Sequence, residues 1–231
     1  MIHFHIVTLF PESIEAYLNA SILGRAQEAK KIKVSYYDPK DFTKDVRGRV
    51  DRRPYGGGPG MILEADAVLR AVQKAQGKKK AEVIFFATDG KQFDEAEAKR
   101  LAQKPRSKTS HSTTHKSDLW VRHIVFICGH YEGIDARVQK ITKAKKVTVG
   151  PYVLTGGELP AATMIDAISR FVPDVLGSAE SLEASRVSSP EVYTRPEILE
   201  WKGKKYRVPK VLLSGHHAEI EKWKQIKRSS A

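Results

Sequence analysis

A single cysteine, Cys128, occurs in the 231 residues, so no intramolecular disulfide can form and no cysteine-rich metal cluster can be built. No apolar run approaches the roughly 20 residues that a bilayer-spanning helix needs. Residues 1–10 alternate like a strand and lack the pattern of a cleavable signal. No G-x-x-x-x-G-K-[ST] stretch occurs, which excludes a phosphate-loop NTPase. Gly56-Gly-Gly-Pro-Gly60 has the wrong spacing for a dinucleotide fingerprint, and Arg52-Arg-Pro-Tyr55 rather than a buried strand precedes it. His111 with His115, and His216 with Glu219, have helical spacing but no supporting cluster, so they are expected to be solvated or RNA-facing and no metal site is expected. Cys128 ends an apolar run and reads as a buried small hydrophobe. These absences leave a soluble, cytoplasmic protein.

Acidic residues are also scarce. Twenty-seven Asp and Glu face 40 Lys and Arg, a net charge of +13, which points to a polyanionic partner such as nucleic acid. The charge is unevenly spread. Residues 201–228 hold nine Lys and Arg and two acids, interleaved with Trp201, Tyr206 and Trp223. Cations beside aromatics can engage phosphates and stack on unpaired bases.

The first two thirds alternate between strand and helix patterns. Strands are expected at residues 2–8, 33–37, 82–87, 121–128 and 146–149, and helices at 11–20, 63–75, 94–103, 133–140 and 159–171, with a turn at Asp89-Gly90. Such alternation argues for an α/β domain with a mostly parallel sheet. Three segments break the rhythm. Residues 41–60 form a glycine-rich loop bearing Arg47, Arg49, Arg52 and Arg53; residues 105–117 read as an exposed basic insertion; residues 174–189 read as a linker. The expected organisation is a ligand-binding domain at 1–172, a linker at 173–190 and a small helical domain at 191–231.

Three strand-end loops carry the chemistry. They are Phe85-Phe-Ala-Thr-Asp-Gly90, Cys128-Gly-His-Tyr-Glu-Gly-Ile-Asp135 and Val149-Gly-Pro-Tyr-Val-Leu-Thr-Gly-Gly-Glu-Leu-Pro160. In an α/β sheet, ligands bind beyond the carboxyl ends of strands, so all three can face one pocket. The glycines at 156 and 157 allow backbone shapes that side chains forbid and let main chain approach a ligand.

With Pro54-Tyr-Gly-Gly-Gly-Pro-Gly-Met61, Tyr193-Thr-Arg-Pro196 and Leu212-Leu-Ser-Gly-His-His-Ala-Glu-Ile220, these motifs occur in order over nearly the whole chain. Together they resemble the TrmD family, the bacterial tRNA (guanine-N1)-methyltransferases of the SPOUT class. The resemblance implies an α/β fold with a deep trefoil knot and a homodimer with a shared active site. It implies S-adenosylmethionine as methyl donor, a magnesium ion near the guanine, and as substrate the guanine 3′ of the tRNA anticodon, position 37. By resemblance, the donor site comprises Phe86, Ala87 and Thr88; Gly129, Tyr131, Glu132 and Gly133; and Val149, Gly150, Tyr152, Leu154, Gly156, Gly157 and Pro160.

Arg170 matches the family's active-site arginine. The family's linker aspartate is not matched: its spacing falls near Ser185, with Glu183 and then Glu180 the nearest carboxylates. Glu183 is the expected base. Arg47, Arg52, Arg53, Arg195, Lys202, Lys204 and Lys205 are the expected RNA contacts. Three rivals stay open: a SPOUT-class enzyme acting on another base, a non-catalytic RNA-binding relative that lacks the base, and a small-nucleotide-binding module that never touches RNA, against which the basic aromatic tail weighs.

Overall fold

The computed structural model describes residues 1–103, 121–176 and 191–229. The chain divides into two compact units, Met1–Leu176 and Gly177–Ala231. Glu180, Glu183, Ser185 and the insertion at 105–117 lie outside the described residues.

The first unit is built on a five-stranded, wholly parallel sheet. Its strands are β1 (Ile2–Val7), β2 (Ile32–Tyr37), β5 (Ala81–Gln92), β6 (Arg122–Ile127) and β7 (Lys145–Thr148), in the spatial order β2-β1-β6-β5-β7. Two short strands, β3 (Asp51–Arg52) and β4 (Ile62–Leu63), form a separate antiparallel pair. Helices α1 (Glu12–Leu18), α2 (Ser21–Glu28), α3 (Ala65–Gln76), α4 (Glu95–Ala102), α5 (Ala136–Thr142) and α6 (Glu158–Ser169) complete the unit.

A sheet buried on both faces needs apolar residues at successive positions, which is why these strands read as continuous hydrophobic runs. Ile2, Phe4 and Ile6 of β1 join Ile84, Ile124 and Phe126 in one core with α1, α2, α4 and α6. Val7, Val83, Phe85, Val125 and Ile127 form the other core, with α3 and α5. Asp94 caps α4 by accepting from the Glu97 amide at 2.8 Å.

The expected strands and the five expected helices are present, with α2 in addition. Three boundaries differ. Leu63, expected at a helix start, lies in β4, and the helix expected from residue 133 starts at Ala136. The Asp89-Gly90 turn signal does not end a strand: β5 runs on to Gln92, with a register shift between Phe86 and Lys91, both opposite Val147. A Cβ on Gly90 would lie 2.5 Å from the Val147 amide nitrogen, so this glycine serves close backbone approach.

Polar groups gather at the amino ends of the strands. Glu82 accepts from Arg100, Lys145 and Arg122, the last at 2.7 Å. Burial alone would raise its pKa, but these donors outweigh it and hold the carboxyl at about 2. Nearby, His3 and His5 on β1 meet His123 on β6. Burial, with the positive charges of Lys33 and Lys79, lowers His3 to about 4 and His5 to about 3, leaving both imidazoles neutral at neutral pH.

In the second unit, β8 (Ile198–Trp201) and β9 (Lys204–Arg207) form an antiparallel hairpin, followed by α7 (Lys210–Leu213) and α8 (His217–Ser229). The expected helices are present, but the purely helical description is incomplete. Lys202 and Gly203 both have positive φ, as a two-residue hairpin loop of type I′ demands. Leu199, Trp201, Lys204 and Tyr206 share one face by register. No helix among the described residues is long and apolar enough to cross a membrane.

Candidate active site

The irregular middle of β5 and the carboxyl ends of β6 and β7 open onto a cavity of about 330 Å³. That is within the range of small-molecule sites. Phe86, Ala87 and Thr88 line it from β5; Gly129, Tyr131, Glu132 and Gly133 from the loop after β6; Val149, Tyr152, Leu154, Gly156, Gly157 and Pro160 from the loop after β7 and the start of α6. Thirteen of the fourteen residues expected at the donor site therefore meet in one place.

Gly150 lies beside the cavity rather than in its wall. Its carbonyl accepts from the Thr148 hydroxyl at 2.8 Å, and a Cβ there would collide with the Tyr152 ring. Its role is to give Tyr152 room.

The paired glycines act differently from the expectation. Neither Gly156 nor Gly157 is among the residues with positive φ. Gly157 has φ −84° and ψ −5°, a conformation open to any residue. Close approach is what requires glycine: a Cβ on Gly157 would lie 2.5 Å from the Cys128 Cα and 3.0 Å from the Gly129 nitrogen. A Cβ on Gly156 would lie 2.5 Å from His130 Nε2. The Gly157 amide also donates to the Gly129 carbonyl at 3.0 Å, which joins the second and third loops.

The second loop is fixed from outside as well. The Glu132 amide donates to the Met61 carbonyl, and Leu63 exchanges bonds with Gly133 and Asp135, each at 3.0 Å. The glycine-rich segment thus returns through β4 to clamp this loop. Gly60, at φ +80°, leaves space for Glu132: a Cβ there would lie 2.8 Å from Glu132 Oε1. Tyr131 is held at φ 62°, a left-handed backbone unusual for a side chain of its size.

Tyr131 and Tyr152 are 54% and 56% exposed, which excludes core packing as the reason for either. Glu132 is exposed and does not start a helix; Asp135 caps α5, accepting from the Arg137 amide at 2.9 Å.

One group was not anticipated. Glu158, the first residue of α6, is only 5% exposed. Its carboxylate accepts from the Thr8 hydroxyl at 2.5 Å and lies 2.8 Å from His130 Nε2. Phe10 packs edge-on against the His130 ring. The Glu158 pairings tie the end of β1, the second loop and α6 together under the cavity. The sequence signal was a carboxylate within an apolar helix start, but its partners are 150 and 28 residues away. Burial also raises the Cys128 thiol, which keeps it protonated and unreactive.

The other expected residues lie elsewhere. Arg170 follows the last residue of α6. Twelve residues of helix span about 18 Å, so Arg170 sits at the opposite end of α6 from Gly157. Arg47 and Arg53 are exposed; Arg52 pairs with Asp45 at 3.0 Å and Glu64 at 3.4 Å. Asp45 also accepts from the Arg47 amide and from Arg49, bonds that hold its carboxyl well below the usual range. Arg195, Lys202, Lys204 and Lys205 are exposed in the second unit, with Lys205 paired to Glu200 at 2.9 Å.

A family model described as tRNA (Guanine-1)-methyltransferase TrmD matches residues 2–231. The chain belongs to this family. Three relatives, each named tRNA (guanine-N(1)-)-methyltransferase, illustrate the similarity. The protein of Chloroflexus aggregans is 40% identical over 232 residues, covering 97% of this chain and 82% of the relative. That of Pasteurella multocida is 39% identical over 225 residues, covering 95% and 83%. That of Porphyromonas gingivalis is 39% identical over 224 residues, covering 95% and 90%. The parallel five-stranded α/β unit accords with the SPOUT-type fold of the family.

Proposed function

We propose that this chain is a tRNA (guanine-N1)-methyltransferase that methylates N1 of the guanine at position 37, using S-adenosylmethionine. The observation that carries the reading is the meeting of three glycine-bearing loops in one cavity, in a chain matched end to end by the family. The cavity fits such a donor: exposed Tyr131, Tyr152 and Leu154 offer apolar walls, while Gly129, Gly156 and Gly157 bring bare backbone to its edge. When bound, the donor supplies a methyl already activated by its sulfonium. The chain's own task is then alignment and proton handling.

Arg170 would stabilise negative charge on guanine O6 as N1 loses its proton. Its distance from the cavity along α6 supports a homodimer in which the partner copy supplies it. Glu183, in the linker outside the described residues, would accept the N1 proton. The knot belongs to the same reading. A magnesium ion near the guanine belongs to the same reading; the one cluster of three potential ligands among the described residues consists of imidazoles, not the hard oxygen donors magnesium takes.

RNA would be held by Arg47, Arg52, Arg53 and Arg195 and by Lys202, Lys204 and Lys205, with Trp201 and Tyr206 beside the hairpin lysines. The reading is tested with labelled S-adenosylmethionine and unmodified tRNA transcripts carrying guanine or another base at position 37. Label in N1-methylguanine from the guanine transcript alone is expected. No transfer to any transcript, with or without magnesium, would overturn it. Separately, Glu183→Gln should slow single-turnover methylation, and an unchanged rate would sink the assignment of the base.

A further inference from the structure

Three imidazoles converge at the amino end of the sheet, away from the donor cavity. His3 and His5 are two apart on β1 and therefore share a face, the one that carries Val7 against α3. His123 on β6 is in register with His3. His5 Nε2 and His123 Nδ1 are 3.0 Å apart, and the rings of His3 and His5 stack with centroids 3.8 Å apart. One nitrogen from each of the three lies within 4.8 Å of the others.

Nothing in methyl transfer calls for this group. Elsewhere on the same face the sheet uses Val7, Val83 and Val125. Three imidazoles there must satisfy six ring nitrogens, and only Ser35, at 2.8 Å from His3, and Tyr37, at 3.0 Å from His5, help from β2. The geometry points to a binding site for a borderline divalent cation, of the zinc class, ligated by His3, His5 and His123.

The distances suit such an ion. Zinc–nitrogen bonds of about 2.0–2.1 Å in a tetrahedron place ligand nitrogens about 3.3 Å apart. His5 Nε2 and His123 Nδ1, 3.0 Å apart, are already close to that spacing. His3 must turn inward by a ring rotation. Three neutral imidazoles and a fourth position left to water form a recurrent zinc ligand set. Lys33 and Lys79 are the cations near enough to act on the cluster, and they oppose binding. Direct bonds from three nitrogens outweigh that field. The ion would pin β1 to β6 on the sheet face opposite the Glu82 cluster.

The test titrates the full chain, stripped with a chelator, with Zn(II) by calorimetry and with Co(II) by visible absorption. One equivalent of Zn(II) and the intense d–d bands of tetrahedral Co(II) are expected. His123→Gln, at the rim, should weaken Zn(II) at least tenfold while leaving the circular dichroism spectrum and donor binding unchanged. Its amide can still bond to His5, so folding does not depend on the imidazole. A double variant His216→Gln/His217→Gln should bind Zn(II) like the wild type. Equal Zn(II) affinity in the wild type and His123→Gln, binding that vanishes with His216 and His217, or no stoichiometric binding would each overturn the proposal.

Discussion

The two ends of α6 do opposite things. Its first turn is packed into the molecule: Gly157 against the Cys128 backbone, Glu158 against Thr8 and His130, Pro160 against the cavity. Its last turn leads to Arg170, about 18 Å away by helical rise. On the proposed reading, the donor half of the site lies within one copy, whereas the acceptor half takes Arg170 from a partner copy. One end of the helix shows how a fold makes a pocket from backbone. The other carries the arginine that, on the same reading, a partner copy supplies.

The contrast can be broken at either end. The largest effect is expected from Gly157→Val, which drives a side chain into the Cys128 and Gly129 backbone. Donor affinity measured by calorimetry should fall at least about 100-fold, since backbone cannot yield as a flexible side chain does, and tRNA affinity should hold. Arg170→Ala should do the reverse. The single-turnover rate should drop by about 10²–10³, as when a charge-stabilising donor is lost, while donor affinity is unchanged.

Two smaller effects sharpen the contrast by acting outside both halves. Glu82→Gln leaves Arg122, itself 9% exposed, without its carboxylate. Breaking such a pair should cost about 3 kcal/mol in urea unfolding, with donor affinity in the folded protein unaltered. Glu82 is held near pKa 2 against an ordinary 4.5, so its contribution is fully present above about pH 4.5 and is lost as pH falls toward 2. In the variant that part of the acid sensitivity should disappear. Lys204→Ala should weaken tRNA binding modestly and reduce the salt slope by about one. A loss of affinity with no change in slope would remove Lys204 from the phosphate contacts.

How much of this could be read in advance depends on the range of the interactions. The three loops were legible because glycine at a strand end is a local signal, and the parallel sheet was legible because buried strands are apolar at every position. The reason for glycine at 156 and 157 was not legible, since it lies in the approach of the Cys128 backbone and the His130 ring. The Thr8–Glu158–His130 group and the three-histidine cluster depend on strand register across more than a hundred residues. The Asp89-Gly90 turn signal was overridden by pairing with β7. The β8–β9 hairpin was masked by its own charge: lysines flank Gly203 where alternating apolar residues would have announced a strand pair.

Complementation tests the division of the site most directly. Gly157→Val and Arg170→Ala chains, carrying different tags, are co-expressed and the mixed species isolated through both tags. A mixed dimer whose partner supplies Arg170 contains one intact donor cavity facing one intact arginine. The expected result is methylation of guanine 37 at about half the wild-type rate, although neither variant alone is active. Mixed species as inactive as their parents would show that Arg170 serves its own chain, and would contradict the account.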